Sequence, residues 1–115
     1  MRSSATKAPS DAKLDLVFRA LSDSTRRKML GRLARGPVRV TELAQPFRIS
    51  LPAASKHIKF LERAHLIRRT IDGRNHLCSL SPWPLQEAEA WLKKYQLFWE
   101  QTVDALARYV EGDMQ

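Results

Sequence analysis

The chain has 115 residues, of which 43% are hydrophobic, and a formal net charge of +8. This length allows one domain with a modest core. No apolar run reaches the roughly 18 residues of a membrane span, so we expect no membrane partner. Cys78 is the single cysteine, which excludes an internal disulfide and a multi-cysteine metal site within one chain. We therefore expect a cytoplasmic protein.

The charge is unevenly distributed along the chain. Residues 1–80 hold 17 Lys and Arg against 6 Asp and Glu, a balance of +11. Residues 81–115 hold 3 against 6, a balance of −3. A basic body joined to a slightly acidic segment predicts one surface for a polyanion and a second surface for another partner. An ordinary basic protein is the alternative that composition leaves open.

The first part of the chain predicts a polar arm followed by two helices. Residues 1–11 lack the apolar centre of a signal peptide and predict a flexible arm. Apolar residues recur at three- and four-residue spacing over 12–21, which predicts the first helix. Ser22 or Asp23 is expected to cap the second helix, and the Gly-Pro pair at 36–37 to end it.

The next segment predicts two short helices joined by a tight turn. VRV at 38–40 is long enough only for a bridging strand. Thr41 is expected to cap a third helix over 41–47, and Ser50 a fourth over 51–64. Such a pair forms a helix-turn-helix, in which the first helix crosses the DNA backbone and the second enters the major groove.

The fourth helix is the predicted recognition helix. Ala54, Ile58 and Leu61 recur at i, i+4 and i+7 and form its inner stripe. Its other side presents small residues that let the backbone approach the bases, and lysines that reach guanine edges or phosphates. The predicted DNA contacts of this helix and its cap are Ser50, Pro52, Ala53, Ser55, Lys56 and Lys59.

A β-hairpin is predicted after the recognition helix. LIRRTI and NHLCSL flank an Asp-Gly pair at 72–73, which marks a tight turn because its backbone needs positive φ angles. Arg68, Arg69 and Arg74 put positive charge on this hairpin, where a wing would meet a phosphate or the minor groove.

Three residues outside the recognition helix and wing are expected to add DNA contacts. Arg26 and Arg27 begin the second helix, and Thr41 begins the third. Each would meet the phosphate backbone, which carries no sequence information but positions the protein.

From Pro82 the pattern is helical again and predicts one long helix over 82–111. Apolar residues step by three and four along it, with coiled-coil-like spacing. That much apolar surface would be sticky on a lone helix, which supports dimerisation. Aromatic residues crowd its start and middle, and two interpretations stay open: an effector pocket at a dimer seam, or plain packing, which we favour. They are Trp83, Trp91, Tyr95, Phe98 and Trp99.

At these residues the chain resembles the ArsR/SmtB family of bacterial repressors. The resemblance rests on LSDSTRRKML, VTELAQPFRISLPAASKHIKFLERAHLI and the basic hairpin, and it covers roughly residues 14–110. It is closest to the metal-independent branch, which shares a pattern of the type S-x-P-A-x-S-K-H at 50–57 and a tryptophan-bearing C-terminal helix. His57 matches the histidine of this pattern and is expected to pack or to touch a phosphate.

The resemblance implies a homodimer whose first and last helices form the interface. It also implies two recognition helices in successive major grooves of an inverted-repeat operator. The family commonly has glycine where this chain has Arg48 and His65, so both positions are expected to adopt positive φ. The residues expected at the dimer interface are Leu14, Phe18, Leu85, Leu92, Tyr95, Trp99, Val103, Leu106 and Val110.

No metal, cofactor or catalytic activity is expected. Metal-sensing relatives place cysteine pairs on the third helix or Asp/His sets on the last, and neither helix of this chain holds a cysteine or a histidine. His76 and Cys78 alternate on one strand face, which predicts a buried thiol beside a hydrogen-bonded histidine. No glycine-rich phosphate loop and no triad spacing is present, so we do not expect an enzyme.

The sequence thus predicts a mainly α winged helix-turn-helix with a small β-hairpin wing and a long C-terminal dimerisation helix. The DNA-binding core spans 12–81 and the dimerisation helix 82–111, with a tail over 112–115. The predicted function is a sequence-specific transcriptional regulator, a homodimeric repressor that occludes a promoter, with its own promoter as one candidate. Two alternatives stay open: a protein-interaction module whose basic face serves solubility, and an effector- or metal-responsive sensor of the same fold.

Overall fold

The computed structural model describes residues 9–113 as five helices and three short strands. None of the described helices is long and apolar enough to cross a membrane. The arrangement is the predicted winged helix-turn-helix with a long C-terminal helix. In chain order the elements are α1 (Pro9–Leu21), α2 (Ser24–Leu33), β1 (Val38–Arg39), α3 (Val40–Ala44) with a 3-10 turn (Gln45–Phe47), α4 (Leu51–Arg63), β2 (Ile67–Asp72), β3 (Asn75–Leu80) and α5 (Trp83–Asp113).

Two helices begin at the polar side chains that the sequence predicts. The Asp23 carboxylate accepts a hydrogen bond from the backbone N–H of Arg26 at 3.0 Å. The Ser50 hydroxyl accepts one from the backbone N–H of Ala53 at 3.2 Å. Each bond satisfies an amide at the start of a helix that has no partner within the helix, so the helix begins there.

The predicted Thr41 cap is wrong. Helix α3 begins at Val40, and its capping residue Arg39 makes no side-chain capping bond. The cause is β1, which pairs Val38 with Cys78 and Arg39 with Leu77. This pairing holds the backbone extended as far as Arg39 and leaves Thr41 inside the helix.

The ends of the described chain also differ from the prediction. Helix α1 begins at Pro9, within the predicted arm, because proline at a helix start lacks only an N–H that would have no helical partner. The remainder of the predicted arm, 1–8, lies outside the described residues. Helix α5 reaches Asp113, inside the predicted tail, of which 114–115 also lie outside the described part of the chain.

One hydrophobic core joins all the elements and orients the wing. The sheet is antiparallel in the order β1-β3-β2, so β3 lies at its centre. Cys78 on β3 is fully buried, and this burial raises the pKa of its thiol, which keeps it protonated and inert. Asp72 pairs with Asn75 at the end of the hairpin. Gly73 is therefore the first of the two residues that connect the strands, and its φ is 62°.

The two turns around the recognition helix adopt the expected left-handed backbone. Arg48, between α3 and α4, has a φ of 53°, and His65, after α4, has a φ of 60°. Non-glycine residues adopt this conformation at a cost of about 1–2 kcal/mol each, so the surrounding packing must hold it. At His65 that packing includes the Trp83 ring, whose centroid lies 6.0 Å from the imidazole centroid.

Candidate nucleic-acid interface

The recognition helix α4 turns one basic side toward solvent. Ala54, Ile58 and Leu61 have no exposed surface. Because successive residues are 100° apart around a helix, the side opposite this stripe is fixed. It carries Pro52, Lys56, Lys59 and Arg63, all of them exposed.

The start of the same helix offers small side chains and a hydroxyl group. The Ser50 oxygen accepts the capping bond, but a hydroxyl also carries a hydrogen, so it can still donate to a phosphate as predicted. Pro52 is exposed, and Ala53 and Ser55 are half-buried beside it. These side chains let a partner approach the helix backbone closely.

A broad cleft of about 880 Å³ lies along this side of the helix. Five of its lining side chains are arginine, lysine or histidine, and one is acidic. A negatively charged partner is therefore favoured there. The lining residues are Arg26, Lys56, His57, Lys59, Phe60, Glu62 and Arg63.

Arg26 connects three helices through its guanidinium group. Its Nε donates to the carbonyl of Ala20 and its Nη2 to the carbonyl of Arg19, both at 2.9 Å. The group also lies 4.4 Å from the centre of the Phe60 ring on α4, where a cation-π interaction stabilises it. Its hydrogen bonds are made within the protein, which favours a structural role over the predicted phosphate contact.

His57 is half-buried against the start of α2. Its Nδ1 lies 3.3 Å from Nη1 of Arg26, and since a guanidinium only donates, this nitrogen accepts the bond. The Asp23 carboxylate is 3.9 Å from the same nitrogen, beyond hydrogen-bond distance. The bond that Asp23 accepts from the backbone of Arg26 lowers the pKa of the carboxyl group. His57 thus packs, one of the two roles expected for it.

Two further predicted contacts remain accessible. Arg27 is exposed, and its Nη1 donates to the carbonyl of Leu21 at 2.6 Å. Thr41 is exposed in the first turn of α3. Both side chains can reach a phosphate without disturbing the core.

The wing separates its three arginines by direction. Arg68 and Arg74 are exposed. Arg69 instead faces inward, where its Nη2 donates to the Glu62 carboxylate on α4 at 2.9 Å. Both of these side chains are less than one-third exposed, so the bond ties the base of the wing to the recognition helix. Arg69 is therefore placed to position the wing through this bond.

Two residues of this surface, Arg63 and Glu62, are not among the predicted contacts. Arg63 is exposed four residues after Lys59 and seven after Lys56, so the helical spacing contained the signal. Glu62 anchors Arg69, a pairing that spacing alone does not reveal.

Known proteins and solved structures are similar to this chain. Residues 21–70 match the family model of a helix-turn-helix domain. The HTH-type transcriptional regulator Rv2034 of Mycobacterium tuberculosis is 33% identical over 99 residues, which cover 86% of this chain and 90% of that protein. The transcriptional repressor SdpR of Bacillus subtilis is 35% identical over 79 residues, which cover 69% of this chain and 88% of that protein.

A crystal structure of an ArsR family transcriptional regulator matches this chain with a TM-score of 0.72 and 48% sequence identity. The match covers 76% of this chain and 97% of that one. The chain belongs to the ArsR family. It is accordingly a DNA-binding transcriptional regulator of the winged helix-turn-helix type, as the sequence predicted.

Helix α5 has an apolar face that is largely exposed to solvent. Leu85 and Ala88 pack on the chain's own core, as do Leu14 and Phe18 of α1. Phe18 also meets Trp91 edge-on, at 5.7 Å between ring centroids. The other predicted interface residues are all exposed, by 44–65% of their surface. They are Leu92, Tyr95, Trp99, Val103, Leu106 and Val110.

Two small cavities lie beside Trp91, between α1 and α5. Their volumes are about 320 and 370 Å³, and both are lined by Asp11, Leu14 and Trp91. The tryptophan is itself 38% exposed. Among the described residues of one chain, the aromatic side chains therefore line an open surface.

The histidine and cysteine of the wing correct one detail of the prediction. Cys78 is buried as expected, but Nδ1 of His76 is also buried and has no hydrogen-bond partner among the described residues. The expected hydrogen-bonded histidine is therefore wrong, because its ring faces the space between wing and helices. The described residues contain no group of three His, Cys, Asp or Glu side chains that could hold a metal ion.

Proposed function

We propose that this ArsR-family protein is a homodimeric repressor that occludes a promoter by inserting α4 of each copy into the major groove. The observation that carries the proposal is the exposed basic side of α4, opposite a fully buried stripe. The inner stripe fixes the rotation of the helix, so Lys56 and Lys59 must point away from the protein body. A helix held this way presents its side chains to base edges.

The apolar face of α5 supports the dimer. Exposed apolar surface on one long helix is costly in water, and a second copy of the same helix would cover it. A two-fold dimer places two recognition helices about one DNA turn apart, roughly 34–36 Å, and therefore reads an inverted repeat. Repression follows from occlusion, since such a complex covers the promoter that contains its operator.

The first test is fluorescence anisotropy of the purified protein on its own upstream intergenic DNA. A shuffled duplex of equal composition is the control, near physiological salt and with excess competitor. We expect the native fragment to bind more tightly by roughly a thousandfold or more. Equal and salt-sensitive binding to both duplexes would move the test to a genome-wide fragment selection. An empty selection there would end the repressor proposal.

Lys56→Ala should weaken operator binding by about 1–3 kcal/mol if the lysine reads a base. The loss should then be larger on the operator than on random DNA, and smaller overall if Lys56 meets only a phosphate. Lys93→Ala removes the same charge from an exposed position on α5 and serves as the matched control. An equal loss on operator and random DNA would reject base reading by Lys56.

A further inference from the structure

A second, smaller cleft of about 280 Å³ lies between the wing and the start of the recognition helix. Leu51 and Val40 line its apolar part. Its remaining walls come from α3, α4 and the wing and are rich in hydrogen-bond donors. The polar lining residues are Arg39, Thr41, Ser55, Arg69, Arg74, Asn75 and His76.

The strand register places His76 on the inner face of the wing. Side chains alternate between the two faces of a strand, so His76 shares a face with buried Cys78, two residues later. Directly paired residues also point to the same side, which puts Arg69, opposite Cys78, on this inner face. Thr70, the next residue along β2, points to the outer face and is exposed.

The donors of this cleft are only partly used. Nε of Arg69 and Nδ1 of His76 are both buried, and neither has a hydrogen-bond partner among the described residues. Arg39 makes an exposed ion pair with Glu42 at 4.0 Å, and Nη2 of Arg69 pairs with Glu62 at 2.9 Å. Arg69 and His76 nevertheless both line the cleft, where a guanidinium group beside an imidazole offers N–H groups to a ligand that accepts hydrogen bonds.

The chemistry of the lining selects an anion. No carboxylate lines the cleft, and three guanidinium groups do, from Arg39, Arg69 and Arg74. A metal cation would find no carboxylate or thiolate ligand there. A phosphodiester carries negative charge and its oxygens only accept hydrogen bonds, which matches this set of donors.

We propose that this cleft binds one backbone phosphate of the operator, with His76 of the wing and Ser55 of α4 on opposite sides of it. The inference rests on the proposed function. Ser55 lies on the flank of α4 next to the exposed basic side, so the cleft continues the surface that faces the groove. The phosphate thereby fixes the angle between wing and recognition helix, and base reading by Lys56 depends on that angle.

His76→Glu tests the proposal, with Thr70→Glu as its matched control. Both substitutions place one negative charge on the wing, but only the first places it in the cleft. We expect His76→Glu to weaken operator binding at least about tenfold, because the carboxylate repels the phosphate, and Thr70→Glu to weaken it less than about threefold. His76→Gln adds no charge and should weaken operator binding less than His76→Glu does. It keeps the test usable if the glutamate variant folds poorly.

A second arm locates the phosphate. Each phosphate of the operator is replaced in turn by an uncharged methylphosphonate, and the binding of wild type, His76→Glu and His76→Gln is measured. One position in each half-site should remove the penalty of either variant, because the two changes then act on one contact. A penalty that stays the same at every position would overturn the proposal.

The remaining outcomes separate this inference from the proposed function. If the wild type distinguishes the operator from shuffled DNA but His76→Glu binds both as the wild type does, this inference alone fails. A free-anion site is a further way to fail: millimolar inorganic phosphate would then raise the Tm of the wild type without DNA, and His76→Glu would leave DNA binding unchanged. If the wild type shows no operator in any fragment, both proposals fall together.

Discussion

Replacing Leu92 with aspartate is expected to separate the dimer and to abolish operator binding in the same step. Leu92 is half exposed on α5, within the proposed interface. Covering such a side chain contributes about 1.5–3 kcal/mol, and a two-fold interface contains it twice. The loss of both contacts and the burial of two carboxylates should weaken the dimer by on the order of 4 kcal/mol, about a thousandfold in its dissociation constant.

Operator binding should fall with the dimer because each copy reads only one half-site. In the dimer, binding at the first half-site raises the effective concentration of the second recognition helix, and a monomer loses this advantage. We expect at least about a hundredfold weaker binding to the full operator. Sedimentation of the free protein and anisotropy on DNA measure the two effects on the same preparation.

Leu97→Asp is the matched control for this prediction. Leu97 is 59% exposed on the same helix, and five residues from Leu92 it lies about 140° around the helix axis. It should leave the dimer and its operator affinity intact. A Leu92→Asp protein that stays dimeric, or a monomer that keeps full operator affinity, would contradict the proposed interface. In the protein-interaction alternative the basic face serves only solubility, so neither protein would have an operator affinity to lose.

The elements that the sequence predicts well depend on interactions between residues that are close together in the chain. The start of α4 requires only a serine hydroxyl three residues before an amide, and its rotation follows from the spacing of three apolar side chains. The left-handed turns at Arg48 and His65 are backbone requirements that mark helix ends. Contacts within about four residues decide all of these features.

The direction of the wing arginines could not be obtained in this way. In a strand with one face in solvent, apolar and polar side chains alternate. LIRRTI begins with two adjacent apolar residues, Leu66 and Ile67, so the sequence does not show which of its residues face the core. A register shift of one residue would exchange Arg68 and Arg69 between the two faces. The pairing of Arg69 with buried Cys78, nine residues later in the chain, settles the matter. That pairing depends on both strands and on the turn between them.

The role of Arg26 could not be predicted from the sequence for a similar reason. Its partners lie six residues back, at Ala20, and 31 residues ahead, at His57. Only the docking of α1 and α4 against α2 brings these groups together. An arginine at a helix start therefore resembles an exposed phosphate contact in the sequence, whereas in the fold it connects α1 to α4.

Arg26→Gln is expected to weaken operator binding by about thirtyfold while random DNA binds almost as before. The substitution removes the contact with Phe60 and leaves two carbonyls of α1 without their donors, so α4 loses its fixed position against α2. Stability should fall by about 2–4 kcal/mol. Anisotropy on both duplexes over a salt series, with urea unfolding of the free protein, measures these effects separately.

The salt series distinguishes positioning from phosphate contact. A lost phosphate contact lowers the slope of log affinity against log salt by about 0.9 and affects all DNA equally. Arg26→Gln should leave the slope unchanged, and Arg26→Lys, which keeps the charge but not the planar fork, should not restore operator binding. Arg27→Gln removes the same charge one residue later and should lower the slope with little loss of stability. If Arg26→Gln instead lowers the slope and weakens both duplexes alike, Arg26 contacts DNA, and the position of α4 depends on the remaining contacts of Phe60 and His57.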